Sequence, residues 1–549
     1  MKGIVLPQKS LTVYQANAFY NYSIGFDVAK VNLLKTADRL LKAGFSQSVY
    51  FSDFKCIYLD TNGEAQFEIN TPKRTVTPGA SWEIEFGEHV PEYIVADLAN
   101  SYEIAFHESE LLHGGLPYLR ASLPPIVLDD GDCQLPLYAS VKIYSDGITI
   151  LSFQFDASWD GLEESDFLSE VVNIYKRGFK AIWLSSKIQE SDAKVVLENA
   201  FENELSIAGE HVAGKKAKKI IKKMKKHSQK VLDESLSSGG QSFHLAGFEW
   251  FLHKIAGTEN DESCESTVEI CRSIYCNVLS GVVVADENEK QTPPHNFIWQ
   301  GRPSVALLRF KNQPDTKDDL YKSFSDSISK ILLRTDGISN VPNLPPDLRL
   351  FEDYCLHANR SIFLWTWLKP TNSPENVWED LNTPTKIFQN QARTEHIEYH
   401  NLKIARACSW ACNPLSNDYL LSAYETLASS ESMLHQSSNS GEVSSALSYL
   451  IEQFGTSRLV GSAKESARYH LDEQRFRVDK AKTRSDRWLT FVFGLVGATS
   501  LAEFVIHPFV KEIWPSLKTL NSPLVSLGIS TGLLLIIAIL IWSINSRKT

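Results

Sequence analysis

Histidine and cysteine pairs at helical spacing are the first candidates for chemistry in this chain. His396 and His400 are four residues apart, as are Cys408 and Cys412, so each pair would share one face of a helix. The pairs are twelve residues apart, a helical rotation of about 120°, so their four side chains would not meet at one metal ion. We therefore predict a structural helix here and no metal site.

The sequence contains none of the common catalytic motifs. It has no G-x-x-x-x-G-K-[ST] phosphate loop, no G-x-S-x-G nucleophile turn and no H-E-x-x-H zinc motif. The polar run 107–115 (H-E-S-E-L-L-H-G-G) has no partner motif elsewhere, and we interpret it as an ordinary loop. The sequence predicts no catalytic residues, and we expect that the protein is not an enzyme.

A lysine-rich segment, 215–226, is a candidate for binding anions. Its eight lysines are Lys215, Lys216, Lys218, Lys219, Lys222, Lys223, Lys225 and Lys226. Ala217, Ile220, Ile221 and Met224 follow helical spacing, so a helix here would be amphipathic with a basic face. Such a face would bind anionic lipid, a nucleotide ligand or RNA; the alternative is a solvated excursion of the chain. Since no aromatic residues interleave the lysines, we expect no sequence-specific nucleic-acid binding.

Two apolar segments near the C-terminus, 488–506 and 524–544, have the length of membrane spans. Each approaches the ~20 apolar residues that a helix needs to cross ~30 Å of hydrocarbon. Together they predict a transmembrane hairpin with an outer loop at 507–523. Basic residues flank the hairpin, and no apolar leader follows Met1, so both termini are expected in the cytoplasm. The predicted location is therefore the cytoplasmic (inner) membrane, with multiple passes.

Small and polar residues in the first apolar segment are candidates for lining a pore or for close helix packing. They are Thr490, Gly494, Ala498, Thr499, Ser500, Ala502 and Glu503. Gly494, Ala498 and Ala502 form a small-residue ridge, while Glu503 would either ring a cation-selective mouth or reach lipid headgroups. The preceding charged segment, 456–487, carries a heptad-like stripe of small residues. That stripe would pack on the head of the same chain or associate with other copies.

The segment 484–493 (R-S-D-R-W-L-T-F-V-F) is similar to the membrane entry of the stalk in the CorA superfamily of ion channels and transporters. The resemblance covers about 441–549. It implies a cytoplasmic α/β head, a charged stalk helix, two C-terminal spans and a homo-oligomer, pentameric in that family. One motif departs from the family: where CorA magnesium channels have Gly-Met-Asn, residues 504–509 are F-V-I-H-P-F. A divergent CorA-like branch found beside type III CRISPR systems, whose members respond to a nucleotide messenger, looks similar in architecture.

The rest of the sequence must form the strands and helices that position these groups, and its spacing of apolar residues predicts both. Strand patterns dominate 47–156, with a hairpin signal at Asp146-Gly147, and Thr316 followed by Asp319 predicts a helix start. The net charge of −11 argues against general nucleic-acid binding, and the eight irregularly spaced cysteines fit a reducing compartment. We predict a membrane protein with a large cytoplasmic α/β (α+β) head, a helical stalk and a C-terminal two-helix transmembrane hairpin.

The predicted domains follow breaks in composition. They are 1–206 (strand-rich mixed α/β), 207–241 (basic helix and Ser/Gly linker), 242–372 (second mixed α/β unit), 373–455 (helical), 456–487 (stalk), 488–506 and 524–544 (transmembrane helices), 507–523 (outer loop) and 545–549 (basic tail).

Three functions remain open from the sequence. The first is a CorA-like membrane effector in antiviral defence: an oligomeric channel or membrane-disrupting protein, gated by a ligand such as a nucleotide messenger bound to the cytoplasmic head. The second is a divergent divalent-cation transporter of the magnesium type, for which Mg²⁺ would be the bound ion. The third is a membrane-tethered enzyme or scaffold. The lipid bilayer, other copies of the chain and a small anionic or nucleotide ligand are the expected partners.

Overall fold

A computed structural model describes most of the chain between residues 9 and 501. The described residues are 9–60, 62–69, 73–74, 82–83, 86–111, 116–195, 240–245, 248–255, 267–286, 297–337, 344–351, 353–369, 382–414, 416–430, 441–501 and 507–513, together with 219, 222–223, 226, 230, 504, 525, 528–532 and 536. The chain divides into two compact units, Met1–Glu465 and Ser466–Thr549.

The first unit contains both strands and helices. The strands are β1 (Thr12–Phe26), β2 (Ser48–Phe51), β3 (Lys55–Leu59), β4 (Ala65–Ile69), β5 (Lys73–Arg74), β6 (Trp82–Glu83), β7 (Tyr118–Ser122), β8 (Ile126–Asp129), β9 (Gln134–Tyr144), β10 (Ile148–Glu163), β11 (Ala181–Ser185), β12 (Gln241–Leu245), β13 (Phe248–Lys254), β14 (Phe297–Phe310), β15 (Tyr354–Ala358) and β16 (Phe363–Trp367).

Helices lie between these strands, and from residue 382 onward the described part of the chain forms helices but no strand. They include α1 (Leu33–Lys42), α2 (Glu92–Leu111), α3 (Glu164–Phe167), α4 (Thr267–Val282), α5 (Lys317–Leu333), α6 (Asn382–Cys412), α7 (Asn417–Ala428) and α8 (Gly441–Gln453). Helix α9 (Thr456–Leu501) begins in the first unit and continues into the second, which also contains α10 (His507–Ile513).

A fourteen-stranded mixed sheet forms the centre of the first unit. Its central strand, β1, pairs antiparallel with β10 on one side and with β14 on the other along nearly its whole length. The order across the sheet is β12-β13-β11-β8-β9-β10-β1-β14-β16-β15. Strand β7 also pairs with β9, and β2, β3 and β4 extend the sheet from β7. Strands β14 and β16 are parallel, so the sheet is mixed.

The two faces of the sheet differ in chemistry because side chains alternate along each strand. On one face, Ala18 and Tyr20 of β1 belong to a large apolar core that also contains side chains of α1, α4 and α5. On the other face, Asn21 and Ser23 are buried beneath α6, and α2 packs beside α6. The candidate functional residues lie on this polar face.

Two local predictions are confirmed by the structure. Strands β9 and β10 form the predicted hairpin, and Gly147 has a φ of +83° in its turn, a conformation that glycine adopts without a steric penalty. Helix α5 starts at the predicted position, where the side chain of Thr316 accepts a hydrogen bond from the backbone N–H of Asp319.

The predicted transmembrane hairpin is wrong. Helix α9 includes residues 488–501 of the first apolar segment. Within the residues described, no helix is both long enough and apolar enough to cross a bilayer. This finding overturns the membrane part of the predicted fold class and the predicted multi-pass inner-membrane location. Most of the second segment, 524–544, lies outside the described residues.

The polar run 107–115 was predicted to be a loop, and that prediction is also wrong for its described part. Residues 107–111 form the last turns of α2, where Glu108 is buried. The high density of polar residues without a partner motif suggested a loop, but contacts with strands distant in sequence bury His107 and Glu108. The predicted domain boundaries stay a prediction, although strands from 1–206 and 242–372 join one sheet through the β1–β14 pair.

Candidate functional site: a polar cavity beside a buried ion cluster

Two neighbouring strands place two cations side by side on the polar face of the sheet. Arg120 of β7 is in register with Lys142 of β9, and Ser122 is in register with Ser140. Both cations are buried, with 3% of Arg120 and 1% of Lys142 exposed. Paired strands lie ~4.8 Å apart, so this register holds two like charges close together, and burial then requires anions to balance them.

Helices α2 and α6 supply the balancing anions. Glu395 of α6 accepts hydrogen bonds from Arg120 Nη1, at 3.2 Å, and from Arg120 Nη2. Gln391 Nε2 donates to Glu395 Oε1 at 2.8 Å. Glu108 of α2 accepts from Lys142 Nζ and lies 3.7 Å from Arg120 Nη2. We call Glu108, Arg120, Lys142 and Glu395 the ion cluster; its formal charges sum to zero.

Burial and mutual attraction compete in setting the pKa values of the ion cluster. Burial disfavours ionisation of Glu395, but the charges of Arg120 and Lys142 outweigh it and hold the pKa of this carboxyl below its usual value. For Lys142 burial prevails over the two carboxylates and lowers the pKa of the ammonium group. The Lys142 Nζ lies 4.2 Å from the ring centroid of Tyr118 and 4.7 Å from that of Tyr144, so cation–π contact compensates part of its lost hydration.

A cavity of about 460 Å³ lies beside the ion cluster, with Arg120 and Gln391 in its wall. Five aromatic side chains contribute to the wall: Phe19, Tyr93, Tyr138, Trp250 and Phe388. Five amide side chains do so too: Asn17, Gln47, Asn100, Gln154 and Gln391. The volume lies within the ~300–1,000 Å³ of typical small-molecule sites, and the wall combines apolar rings with a few fixed polar groups in the same way.

The wall carries little net charge. Among its described residues, Arg120 is the one cation and Asp97 the one anion. Glu395 already neutralises Arg120, and the Nε of Arg120 has no acceptor within the part of the chain described. Asp97 accepts a hydrogen bond from Ser48 Oγ, and Ser122 also hydrogen-bonds to it. Burial outweighs these bonds and raises the pKa of the Asp97 carboxyl, which favours its neutral form.

One face of α6 carries buried polar residues from the cavity towards the start of α9. We call Gln391, Glu395, Glu398 and Asn401 the polar stripe. Their spacing of 3 or 4 residues places them along one side of the helix, against the sheet. Asn401 Oδ1 accepts a 2.6 Å hydrogen bond from Oγ1 of Thr456, the first residue of α9.

The residues predicted as sites from the sequence do not line this cavity. Lys219, Lys222, Lys223 and Lys226 are described and exposed, and the other four lysines (Lys215, Lys216, Lys218 and Lys225) lie outside the described residues. Thr490, Gly494 and Ser500 lie in α9, where the Thr490 hydroxyl donates to Asp486 O at 2.8 Å. Ala498 and Thr499 are helical residues whose side chains are not described, and Ala502 and Glu503 lie outside the described part.

The predicted structural role of the histidine pair is consistent with its surroundings in α6. The rings of His396 and His400 are buried, with centroids 4.5 Å apart. Burial lowers the pKa of His396 to about 3, so the imidazole is neutral near pH 7. Cys408 is buried and Cys412 exposed. Across the described residues, no group of three or more His, Cys, Asp or Glu side chains is arranged to hold a metal ion.

Sequence reasoning missed the ion cluster and the cavity. The available signal was Lys142 itself, which lies in a strand pattern between the apolar residues Val141 and Ile143. A lysine buried in such a strand requires a partner carboxylate, but the sequence alone does not indicate which one.

No protein-family model, curated protein or solved structure matches this chain. The similarity of 484–493 to the CorA superfamily therefore stays a prediction from the sequence, and the candidate site must be interpreted from its own chemistry.

Proposed function

We propose that this chain is a ligand-responsive binding protein rather than an enzyme, and that its cavity binds a nucleoside-class molecule. Such a ligand combines a planar ring, several hydrogen-bonding groups and no net charge. The composition of the wall carries the proposal: aromatic rings and side-chain amides surround a space in which the formal charges are already balanced. Like the CorA-like effector hypothesis, the proposal assigns ligand sensing to the head. Unlike that hypothesis, it includes no membrane channel.

The aromatic and amide groups support a planar heterocycle as the ligand. Aromatic side chains stack on nucleobases with ~1–3 kcal/mol per base. Side-chain amides present a donor and an acceptor together and pair with the edges of bases. Tyr138 and Trp250 supply rings, and Gln154 and Asn17 supply amides, from strands of one sheet. Fixed strands hold these groups in place before the ligand arrives, which reduces the ordering cost of binding.

The charge balance argues against a polyphosphate ligand. Arg120 is held by the Glu395 carboxylate through both Nη atoms, so a phosphate group would compete with a buried anion for the same donors. A ligand carrying several negative charges would also approach the Glu395 carboxylate at low dielectric, where repulsion between like charges is strong. We therefore expect nucleosides to bind more tightly than their triphosphates.

Thermal-shift and calorimetric titrations with adenosine, guanosine, cytidine and uridine test the proposal, each compared with its 5′-triphosphate and with glucose. At least one nucleoside should stabilise the protein, by ~2.7 kcal/mol when its concentration is a hundred times Kd. Its triphosphate should bind at least tenfold more weakly. Glucose, which lacks a planar ring, should have no effect. Failure of all four nucleosides to bind, or tighter binding of the triphosphates, would reject the proposal.

Tyr138→Ala provides a site-specific test with a matched control. Tyr138 lines the cavity, and Tyr424 in α7 lies outside it; both are 39% exposed. Loss of one stacking ring should weaken nucleoside binding about tenfold in Tyr138→Ala. Tyr424→Ala should bind as the unsubstituted protein does. Equal weakening in both variants would place the ligand elsewhere.

A further inference from the structure

We propose that α6 couples occupancy of the cavity to the attachment of the first turn of α9, through the polar stripe. This inference rests on the proposed ligand-binding function, which it extends from recognition to response. The stripe has one end in the cavity wall and the other at Thr456. A ligand that moves the first end would therefore change how firmly the second end is held.

The cavity end of the stripe is Gln391. Its Nε2 donates to Glu395 Oε1 at 2.8 Å and to Asn21 Oδ1 at 2.9 Å, and its Oε1 accepts from Asn21 Nδ2 at 3.3 Å. Gln391 and Arg120 both line the cavity and both bond to Glu395. A ligand that displaces either residue would therefore change the hydrogen bonds of Glu395.

The middle of the stripe is Glu398, about two helical turns beyond Gln391 in α6. Its Oε1 accepts from Arg302 Nη1 at 2.7 Å, and its Oε2 accepts from Ser23 Oγ at 3.3 Å. Asn21 and Ser23 are alternate residues of β1, so the same strand contacts the stripe at Gln391 and at Glu398. The stripe thus contacts β1 through discrete hydrogen bonds rather than through apolar packing alone.

The far end of the stripe holds the start of α9. Asn401 accepts from the Thr456 hydroxyl, and the Arg302 guanidinium, bound to Glu398, lies 3.6 Å from the ring centroid of Phe454. Thr456 is 3% exposed, so its hydroxyl has no ready replacement by water. The first turn of α9 is therefore attached through the same buried polar groups that lead back to the cavity.

A helix transmits displacement because its backbone hydrogen bonds keep it rigid over its length. The buried polar bonds of the stripe are strongly directional, and a small shift breaks them instead of stretching them. Two arrangements of α6 against β1 would then differ in both the cavity wall and the Thr456 attachment. A ligand that prefers one arrangement shifts the population of both ends together.

Hydrogen exchange of the full chain tests the coupling without a ligand. Gln391→Leu removes the cavity end of the stripe, and amide exchange over 456–465 should become about tenfold faster, the effect of losing one buried hydrogen bond. Asn390→Leu is the matched control: Asn390 is the adjacent residue, is equally buried, and contacts Tyr354 instead of the stripe. Equal acceleration in both variants, or none in Gln391→Leu, would overturn the coupling.

A second pair of variants tests the coupling from the opposite end and does not depend on the folding of Gln391→Leu. Thr456→Val removes the far hydrogen bond with little change of shape and should increase exchange over 387–391 several-fold, since coupling is reciprocal. Thr316→Val removes a threonine at the start of a different helix, α5, and should leave 387–391 unchanged. Unchanged exchange in Thr456→Val would contradict the inference.

The same variants separate this inference from the proposed function. If none of adenosine, guanosine, cytidine or uridine binds but Gln391→Leu and Thr456→Val give the expected exchange, the coupling stands and the ligand class is wrong. If a nucleoside binds at Tyr138 but both variants behave as their controls do, the binding function stands and the coupling fails.

Discussion

Replacing Glu395 with glutamine tests the electrostatic account of the site most directly. The substitution preserves side-chain volume, so it creates no cavity. Among the described residues it leaves Glu108 as the one carboxylate that balances Arg120 and Lys142. Removing one partner of a buried ion pair costs ~3–5 kcal/mol, because the remaining charge stays desolvated. We expect Glu395→Gln to lower the free energy of unfolding by about 3 kcal/mol at pH 7.

The loss of unfolding free energy in Glu395→Gln should be larger at neutral pH than at acidic pH. The pKa of Glu395 is lower in the folded protein than in the unfolded chain, so ionisation of this group stabilises the fold above the unfolded value of ~4.3. That stabilisation disappears as the pH falls through the folded pKa, because the protonated carboxyl then carries no more charge than the amide. The difference in unfolding free energy between the unsubstituted protein and Glu395→Gln should therefore decrease below about pH 4.3.

Urea unfolding of both proteins between pH 7 and pH 3.5 measures this difference. Glu452→Gln, at an exposed position of α8, is the control and should change stability by less than ~0.5 kcal/mol. The double variant Glu395→Gln/Lys142→Met removes one charge of each sign and should be less destabilised than the sum of the single variants. A difference that stays constant across the pH range, or a loss no larger than that of Glu452→Gln, would refute the electrostatic account.

Three further predictions concern other parts of the first unit. Gly455→Ala should cost about 1 kcal/mol in urea unfolding, because Gly455 has a φ of +75°, which alanine adopts only with strain; an unchanged midpoint would contradict this. A thiol reagent at pH 8 should modify Cys133 and Cys412 in the native protein and spare Cys271, which is buried and whose thiol pKa is raised by that burial; peptide mapping would reveal any reaction at Cys271. Burial lowers the pKa of His357 to about 4, so the NMR signals of its ring should show no titration above pH 5. Because this histidine protonates in the unfolded chain at higher pH, acidification from pH 6.5 towards pH 4 should lower the free energy of unfolding by ~1.4 kcal/mol per pH unit through this group.

Local elements were predictable where a short sequence determines the conformation. The Asp146-Gly147 turn requires a residue that tolerates positive φ, and Thr316 satisfies a backbone N–H that the helix leaves free. Both signals depend on residues within four positions of each other. The structure confirms both predictions, and neither prediction required knowledge of contacts between residues distant in sequence.

The site was not predictable, because its members are distant in sequence. Arg120 and Glu395 are 275 residues apart, and each is ordinary in its own segment: an arginine in a strand and a glutamate in a helix. Only the pairing of β7 with β9 and the packing of α6 on the same face of the sheet, against β1, β10 and β14, bring them together. The apolar segment from Trp488 misled for a different reason, since its hydropathy was counted from the sequence alone.

The alignment of Arg120 with Lys142 also affects how the sheet assembles. Side chains alternate with a period of two, so a slip of one residue between β7 and β9 would turn one of these cations towards the apolar layer formed by Leu119, Val141 and Ile143. A charge buried there would lack Glu108 and Glu395, at a cost of several kcal/mol. The ion cluster therefore penalises misaligned strands during folding and helps to enforce the correct register of the sheet.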